Sequence, residues 1–307
     1  MRCGATILDA SGLRLTAQEK ALFRAVKPFG FILFARNIDT LDQVRALCAE
    51  MRDAAGHDAV ITVDQEGGRV QRLRAPQWRD WSAPLDFVQA AGSHAAEAMY
   101  LRFRLIAHEL HRVGIDSNCA PMVDVAGTQT HEFLRNRCYG TTPDVVAALG
   151  RAAADGMLAG GVLPVVKHMP GHGRATMDSH FALPLVDAPR EALDTHDFAP
   201  FKALCDLPMG MTAHLVYDAI DPRPATLSPV MMNQIAADAL SAGCDVVLYC
   251  NATLADRARV AEAAGEMTDA AQTRAERALA MRREPDDVDI PALSAKIDTL
   301  LGGAVNG

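Results

Sequence analysis

The chain has 307 residues, half of them hydrophobic, which is enough for one large globular core. The formal net charge is −8 and no run of lysine or arginine occurs, which argues against a nucleic-acid partner. The seven cysteines are scattered without a Cys-x-x-Cys pair, no apolar segment approaches the roughly 20 residues of a membrane helix, and the N-terminus has no apolar leader segment. We therefore expect a soluble, cytoplasmic, single-domain protein (residues 1–307) with reduced thiols and no membrane association.

Short apolar segments alternate along the chain with longer segments whose apolar residues recur at helical spacing. The helical pattern is clearest in Leu41–Ala54, Ala95–Arg112 and Asp144–Ala159. The predicted strands are, in chain order, Thr6–Asp9, Gly30–Ala35, Val60–Asp64, Ile115–Val123, Val162–Lys167, Met209–His214 and Asp245–Cys250. Apolar strands that alternate with helices are typical of a parallel sheet covered by helices.

Polar and charged residues follow several of these strands at the point where each strand ends. Asp64 ends the third strand, Asp124 follows the fourth, and Lys167 ends the fifth. Functional residues at the carboxyl ends of many strands are typical of a (β/α)8 TIM-type barrel, whereas an open doubly wound sheet concentrates them at one switch point. No Gly-x-Gly-x-x-Gly motif opens a helix after a strand. The pattern therefore predicts an α/β fold with a TIM-type barrel.

The number of predicted strands is seven, one fewer than such a barrel needs. The last two strands start at Met209 and Asp245. This separation of about 35 residues holds one β/α repeat, because one repeat takes roughly 30 residues. We therefore expect the barrel to lack one repeat, the seventh strand, near its C-terminal end.

The densest group of chemically active side chains is the loop that begins at Lys167 and continues through Asp178 and His180. Proline and two glycines in this segment predict a loop directly after a strand. Asp178 and His180 are two residues apart, so in extended backbone their side chains point the same way. Because a carboxylate beside an imidazole orients the ring and raises its basicity, the two form a candidate general acid/base pair.

A metal site is an alternative interpretation of the same loop. His168, His172 and His180 with Asp178 supply enough ligands for a zinc ion. However, Lys167 would place a cation beside the metal, and a Pro-Gly break separates the first two histidines. A metal-dependent hydrolase is therefore an alternative function, and no metal is assigned.

Two further motifs add candidate binding residues to the strand ends. The first starts at Asp64 and reaches Arg72, and the second contains Arg137. A carboxylate accepts hydrogen bonds from sugar hydroxyls, and a guanidinium clamps an oxygen. Each motif alone could be a turn or a surface ion pair. Together with Lys167 and His168 they predict a donor-rich rim suited to a polar ligand that carries acetamido or carboxylate groups.

These motifs, in this order, resemble glycoside hydrolase family 3, and specifically its single-domain β-N-acetylglucosaminidases (β-hexosaminidases) of peptidoglycan recycling. The resemblance runs from about Gly30 to Asn251. It rests on Lys-His-x-Pro-Gly-His-Gly followed by Asp-Ser-His, on Val-Asp-Gln-Glu-Gly-Gly-Arg-Val-Gln-Arg, and on the stretch from Met211 to Ser228 with its Met-Thr-Ala-His and Ala-Thr-Leu-Ser segments.

The resemblance implies a retaining hydrolase that acts through a covalent glycosyl-enzyme, with His180 as the acid/base and Asp178 as its partner. It implies that N-acetylglucosamine is held by five rim residues: Asp64, Arg72, Arg137, Lys167 and His168. The implied substrate is a muropeptide, N-acetylglucosamine linked to anhydro-N-acetylmuramic acid. No cofactor or metal is implied.

One family motif has no counterpart. After the Ala-Thr-Leu-Ser stretch the family has a helix and then a strand ending in Asp-Asp-x-Ser-Met, whose aspartate is the nucleophile. Here Pro229–Gln234 leads directly into a segment starting at Ile235 that resembles the next helix. Asp238 lies on that apparent helix, so the nucleophile stays unidentified. The missing segment coincides with the missing strand, and a catalytically inactive sugar-binding relic is therefore an alternative function.

Overall fold

The computed structural model describes residues 2–175, 184–213, 215–224 and 244–302, and it describes residues 221–224 by their backbone alone. The strands are β1 (Gly4–Leu8), β2 (Pro28–Leu33), β3 (Val60–Val63), β4 (Gln65–Gly67), β5 (Val70–Gln71), β6 (Ser117–Asn118), β7 (Leu163–Met169), β8 (Leu185–Val186), β9 (Met209–Thr212), β10 (Val216–Tyr217), β11 (Asp221–Pro224) and β12 (Val247–Leu248). The α-helices are α1 (Ala17–Val26), α2 (Leu41–Ala55), α3 (Pro84–Ala91), α4 (Ala95–His111), α5 (Glu132–Arg135), α6 (Pro143–Ala159), α7 (Arg190–Ala192), α8 (Ala199–Ala203), α9 (Leu254–Ala264), α10 (Asp269–Leu279) and α11 (Ile290–Leu300).

Seven of the described strands are parallel and form one arc. Backbone pairing gives the order β12-β1-β2-β3 in one sheet and β6-β7-β9 in another. The backbone N–H groups of Asp116 and Cys119, on either side of β6, donate to the carbonyls of Ile61 and Val63, at 3.1 and 2.9 Å, and so join the two sheets. Parallel strands in this order, with helices between them along the chain, form a TIM-type barrel. The predicted fold class is confirmed.

Each of the seven predicted strands overlaps one strand of this arc. Within the described ranges, β9 and β12 are the two ends of the arc and do not pair with each other. The point at which we expect the barrel to lack a strand lies between these two ends in the chain. It falls in residues 225–243, outside the described residues.

Burial on both faces explains why the barrel strands are so apolar. All six residues of β2 are buried, and so are the first five of β7. The flanking helices begin at polar caps: Thr16 forms a capping box with Glu19 at the start of α1, and the Thr40 side chain accepts from the Gln43 N–H at the start of α2. No helix of the described residues is both long and apolar enough to cross a membrane.

Helices α4 and α6 pack against each other at very short range on the outside of the arc. Gly156 of α6 makes this possible, because a Cβ atom there would overlap the carbonyl oxygen of Tyr100 in α4 and lie 3.0 Å from the Arg104 nitrogen. The apolar faces of both helices join the main core of the molecule. This packing holds α4, whose Arg102 side chain donates to the carbonyl of Glu66.

A small hairpin, β4 and β5, follows β3 directly at the carboxyl end of the barrel. Gly67 and Gly68 turn the chain from β4 to β5. Their φ angles are 111° and 59°, which residues with a side chain rarely adopt. The hairpin holds Glu66 over the end of the barrel, next to Asp64. The first candidate binding motif is therefore built by a strand end and the tight turn that follows it.

Candidate active site

The five predicted binding residues meet at the carboxyl ends of neighbouring strands. Asp64 follows β3, and Lys167 and His168 lie in the last part of β7. Arg72 follows the hairpin, and Arg137 follows α5. They come together because β6 and β7 pair next to β3, so that their carboxyl ends share one edge of the barrel.

Lys167 is the centre of a buried ion-pair network. Its side chain is 1% exposed, and Nζ lies 2.8 Å from Asp64 Oδ1 and 2.6 Å from Glu66 Oε1. Arg137 donates two hydrogen bonds to Glu66, from Nε to Oε2 at 2.9 Å and from Nη2 to Oε1 at 2.7 Å. Arg72 Nη2 lies 3.2 Å from Asp64 Oδ2. Three cations thus face two carboxylates, and the charge of a third buried carboxylate, Asp124, also acts on Arg137.

The partners in this network keep one another ionised. Burial opposes ionisation of Glu66, but Arg137 and Lys167 hold the pKa of its carboxyl well below the usual range. Burial likewise opposes ionisation of Asp64, and Lys167 and Arg72 lower the pKa of that carboxyl. Burial disfavours the charged form of Lys167, yet Asp64 and Glu66 raise its pKa. At neutral pH the site therefore presents fixed charges of both signs.

A second network joins Asp124 to two histidines, His168 at the end of β7 and His172 in the loop that follows. The Asp124 side chain is fully buried, and its Oδ2 lies 2.8 Å from Nδ1 of His168. Its Oδ1 accepts the backbone N–H of His172 at 2.6 Å. Burial lowers the pKa of His168 although Asp124 acts in the opposite direction, and burial lowers the pKa of His172 to about 4. Both imidazoles are therefore neutral at pH 7.

Three hydrogen bonds hold the part of the loop after β7 that the structure describes, which ends at residue 175. The Tyr217 hydroxyl donates to the Gly171 carbonyl, and the Thr130 hydroxyl donates to the Gly173 carbonyl. Arg174 Nε donates to Asp197 Oδ2 at 2.7 Å. The predicted acid/base pair, Asp178 and His180, comes next in the chain and lies outside the described residues. Its predicted role stays a prediction.

Two buried carboxylates of the site were not assigned a role from the sequence. Glu66 and Asp124 are both fully buried, although each stands in a motif that follows a strand. Arg102 of α4 is also fully buried; its Nη2 donates to the carbonyls of Glu66 and Ser82, at 2.6 and 2.8 Å. The strand-end position was a signal for the two carboxylates. An arginine on an amphipathic helix gave no such signal.

The alternative metal site rests on four residues, of which the structure describes His168 and His172. Their rings are 5.7 Å apart and edge to face. Within the described residues, no group of three or more His, Cys, Asp or Glu side chains could hold a metal ion. The other two predicted ligands, Asp178 and His180, lie outside that part of the chain.

Comparisons with known proteins agree with the motifs. The model of the glycosyl hydrolase family 3 N-terminal domain matches residues 8–238. A β-hexosaminidase of Idiomarina loihiensis is 34% identical over 281 residues, which cover 80% of this chain and 83% of that protein. One of Methylococcus capsulatus is 37% identical over 280 residues, which cover 80% and 82%. Each alignment has more positions than 80% of this chain has residues. At some aligned positions, therefore, the relative has a residue and this chain has a gap.

Solved structures show the same fold. NagZ from Neisseria gonorrhoeae, in complex with N-trifluoroacetyl-D-glucosamine, superposes with a TM-score of 0.86 at 28% identity and covers 98% of this chain and 99% of its own. A family 3 β-N-acetylglucosaminidase from Paenibacillus has a TM-score of 0.83 at 26% identity, over 96% of this chain and 67% of its own. The chain therefore belongs to glycosyl hydrolase family 3 and is a glycoside hydrolase with a TIM-type barrel.

Proposed function

We propose that this chain is a retaining exo-β-N-acetylglucosaminidase that releases N-acetylglucosamine from muropeptides in cell-wall recycling. The observation that carries the proposal is the network around Lys167, with Asp64, Arg72 and Arg137, beside the buried pair of Asp124 and His168. Relatives named β-hexosaminidase and the NagZ structure with an N-acylated glucosamine support the same sugar.

The two networks offer complementary groups to one sugar ring. Asp64 accepts hydrogen bonds from hydroxyls, while Lys167, Arg72 and Arg137 donate to hydroxyl or acetamido oxygens. The side chains of Asp64 and Arg72 are 18% and 24% exposed, so a ligand at the mouth of the barrel can contact them, whereas the side chain of Lys167 is buried. We infer that these residues fix the ring for attack at its anomeric carbon.

Retaining hydrolysis takes two steps in this proposal. In the first, an aspartate attacks the anomeric carbon while His180, paired with Asp178, donates a proton to the leaving oxygen; in the second, His180 takes a proton from the attacking water. The described residues supply the binding groups for both steps. The nucleophile is not assigned to any residue of this chain.

One cation of the Lys167 network supports a muropeptide as substrate. Muropeptides carry carboxylates on their peptide stems, and Arg72, whose side chain is 24% exposed, offers a guanidinium to an anion at the mouth of the barrel. We propose the muropeptide as substrate on this ground and on the family resemblance.

A specific observation favours a second function, a sugar-binding protein without turnover. The sequence lacks the Asp-Asp-x-Ser-Met strand end that supplies the family nucleophile, and the aligned relatives carry positions that this chain does not have. The Lys167 network is complete without that segment. Such a protein would bind N-acetylglucosamine and leave the glycosidic bond intact.

The test combines turnover and binding on the same purified protein. Hydrolysis of 4-nitrophenyl N-acetyl-β-D-glucosaminide and of the muropeptide is measured beside calorimetric binding of N-acetylglucosamine. Asp64→Asn, purified identically, controls for contaminating enzymes. Turnover lost in Asp64→Asn supports the hydrolase, binding without turnover supports the sugar-binding protein, and neither binding nor turnover contradicts both. Activity that disappears with a chelator and returns with zinc would favour the metal-dependent alternative.

A further inference from the structure

Asp124 uses both of its carboxylate oxygens to hold the end of β7 and the loop that follows it. Oδ2 lies 2.8 Å from His168 Nδ1, and Oδ1 accepts the backbone N–H of His172 at 2.6 Å and that of His168 at 3.4 Å. The side chain is fully buried. Burial opposes its ionisation, but His168 and the His172 amide keep the pKa of the carboxyl below its usual value. Asp124 is therefore an ionised acceptor.

This geometry decides which nitrogen of His168 carries the proton. An ionised carboxylate can only accept a hydrogen bond, so Nδ1 must donate to it. A neutral imidazole has a single N–H, and Nε2 on the opposite edge of the ring is then left with a lone pair. The His168 side chain is 17% exposed, so part of the ring is open to solvent.

We propose that Asp124 is a positioning residue that fixes His168 as the Nδ1–H tautomer, so that His168 Nε2 accepts a hydrogen bond from a sugar hydroxyl. The sugar contact rests on the proposed function, whereas the tautomer does not. The site then offers two acceptors, Asp64 and His168, beside two donors, Lys167 and Arg137. A sugar hydroxyl that donates to His168 is favoured over a group that can only accept, and this makes the residue pair a determinant of specificity.

The tautomer is measured directly by long-range ¹H–¹⁵N NMR of the histidine rings at neutral pH, with His168→Gln identifying the His168 signals. We expect an Nδ1–H ring in the wild type. In Asp124→Asn the new amide can donate to Nδ1 while its carbonyl still accepts the His172 N–H, so the ring should change to the Nε2–H tautomer. A wild-type Nε2–H ring or an imidazolium would overturn the proposal.

The sugar contact is measured by calorimetry with N-acetylglucosamine and with its deoxy and deoxyfluoro analogues at each ring hydroxyl. Fluorine cannot donate, so one fluoro analogue should bind wild type as weakly as its deoxy counterpart, by about 10- to 100-fold below the parent sugar. Asp124→Asn should bind the parent sugar more weakly by a similar factor. In the His168→Gln background the same substitution should have little further effect, because Asp124 acts through His168.

The outcomes separate this inference from the proposed function. If the wild type binds no N-acetylglucosamine, the proposed function and the sugar contact both fail, and NMR alone decides the tautomer. If every fluoro analogue binds like the parent sugar, His168 is not an acceptor and the sugar contact fails alone. If thermal unfolding shows that Asp124→Asn does not fold, the wild-type spectrum still decides the tautomer. The sugar contact is then decided in His168→Phe, whose ring cannot accept a hydrogen bond: the fluoro analogue that binds the wild type weakly should bind this variant as well as the parent sugar does. If the weakness persists in His168→Phe, the hydroxyl donates to Asp64 and the sugar contact fails.

Discussion

Glu66 shows at the scale of one residue how the site depends on buried charge. It is fully buried between Arg137 and Lys167, whose charges it compensates. Glu66→Gln removes the negative charge and leaves two buried cations short of a partner. We expect the free energy of unfolding to fall by about 3–5 kcal/mol, the usual cost of breaking a buried ion pair, as measured by urea denaturation.

Glu97→Gln is the matched control for this change. Glu97 forms an ion pair with Lys296, but both side chains are about half exposed. The same chemical substitution there should leave the urea midpoint nearly unchanged, because solvent screens exposed pairs. Equal losses at Glu66 and Glu97 would show that the Lys167 network does not have the energetic role assigned to it.

The depressed carboxyl pKa values of the site also predict how stability depends on pH. Glu66, Asp64 and Asp124 have lower pKa values in the folded chain than the ordinary values of 4.5 for Glu and 3.8 for Asp. Below about pH 4.5 the unfolded chain therefore binds more protons at these groups, and their contribution to stability is lost as the pH falls further. Burial raises the pKa of Glu109 to about 7, so it is protonated before this window.

Urea midpoints measured at several pH values below 4.5 check this prediction. The wild type should lose stability steadily over that range. Glu66→Gln should lose less per pH unit, because one of the groups with a depressed pKa has been removed. A steeper dependence in Glu66→Gln than in the wild type would contradict the charge state that we assign to Glu66.

The proposed acid/base residue has its own kinetic signature. His180→Ala should slow a substrate with a poor leaving group, such as the muropeptide, by about 10²- to 10⁴-fold, the usual contribution of general acid catalysis. The glycosylation step of a 4-nitrophenyl glycoside needs less protonation and should be slowed less. Steady-state and pre-steady-state rates of both substrates check this. Equal losses on the two would count against His180 as the acid.

The residue types at the strand ends were predictable from the sequence, but their partners were not. Asp64, Lys167 and His168 stand next to buried apolar strands, and that position marks them as site residues. The role of Asp124 depends on a contact with His168, 44 positions later, that only the pairing of β6 with β7 creates. Arg102 reaches the Glu66 carbonyl from a helix, and no local pattern marks it.

At the scale of elements, the close contact of α4 and α6 requires a residue without a side chain at Gly156, and this can be tested. In Gly156→Ala the new Cβ would overlap the Tyr100 carbonyl, so the helices must move apart. We expect a loss of about 1–3 kcal/mol in the free energy of unfolding, although alanine favours the helix by about 1 kcal/mol. Thermal and urea unfolding measure this loss.

Gly12→Ala is the control for the glycine substitution. A Cβ atom at Gly12 would meet nothing within 4 Å. The two substitutions add the same methyl group. They differ in the space available to it and in the helix preference of alanine, which stabilises only the change at Gly156. If Gly156→Ala were as stable as Gly12→Ala, helices α4 and α6 would have to be farther apart than the structure places them.

Long helices and buried strands were predicted closely, and short strands were not. The helix predicted at Leu41–Ala54 runs from Leu41 to Ala55. The strand predicted at Ile115–Val123 is regular only at Ser117–Asn118, and an isolated bridge pairs Met122 with Lys167 farther on. Pro121 cannot donate to the ladder, which accounts for the interruption. Two-residue strands such as β5 arise from tertiary pairing and have no periodicity to detect.

At the scale of the whole molecule, the number of strands bears on both fold and function, because the strand that we expect to be missing coincides with the segment that carries the family nucleophile. The structure confirms the seven predicted strands, and in the described residues the arc ends at β9 and β12. Periodicity could locate the seven strands, and the number of residues from Met209 to Asp245 led us to expect that an eighth is missing. The sequence pattern cannot tell how the chain spans that gap, because the answer depends on long-range packing.

The most direct test of the whole account is the reaction of the purified chain with N-acetylglucosamine linked to anhydro-N-acetylmuramic acid, followed by ¹H NMR from the first minutes. We predict that N-acetylglucosamine is released and that it appears first as the β anomer, since the mechanism retains configuration. Asp64→Asn should release none above background. Initial release of the α anomer, or sugar binding with no release at all, would contradict the account.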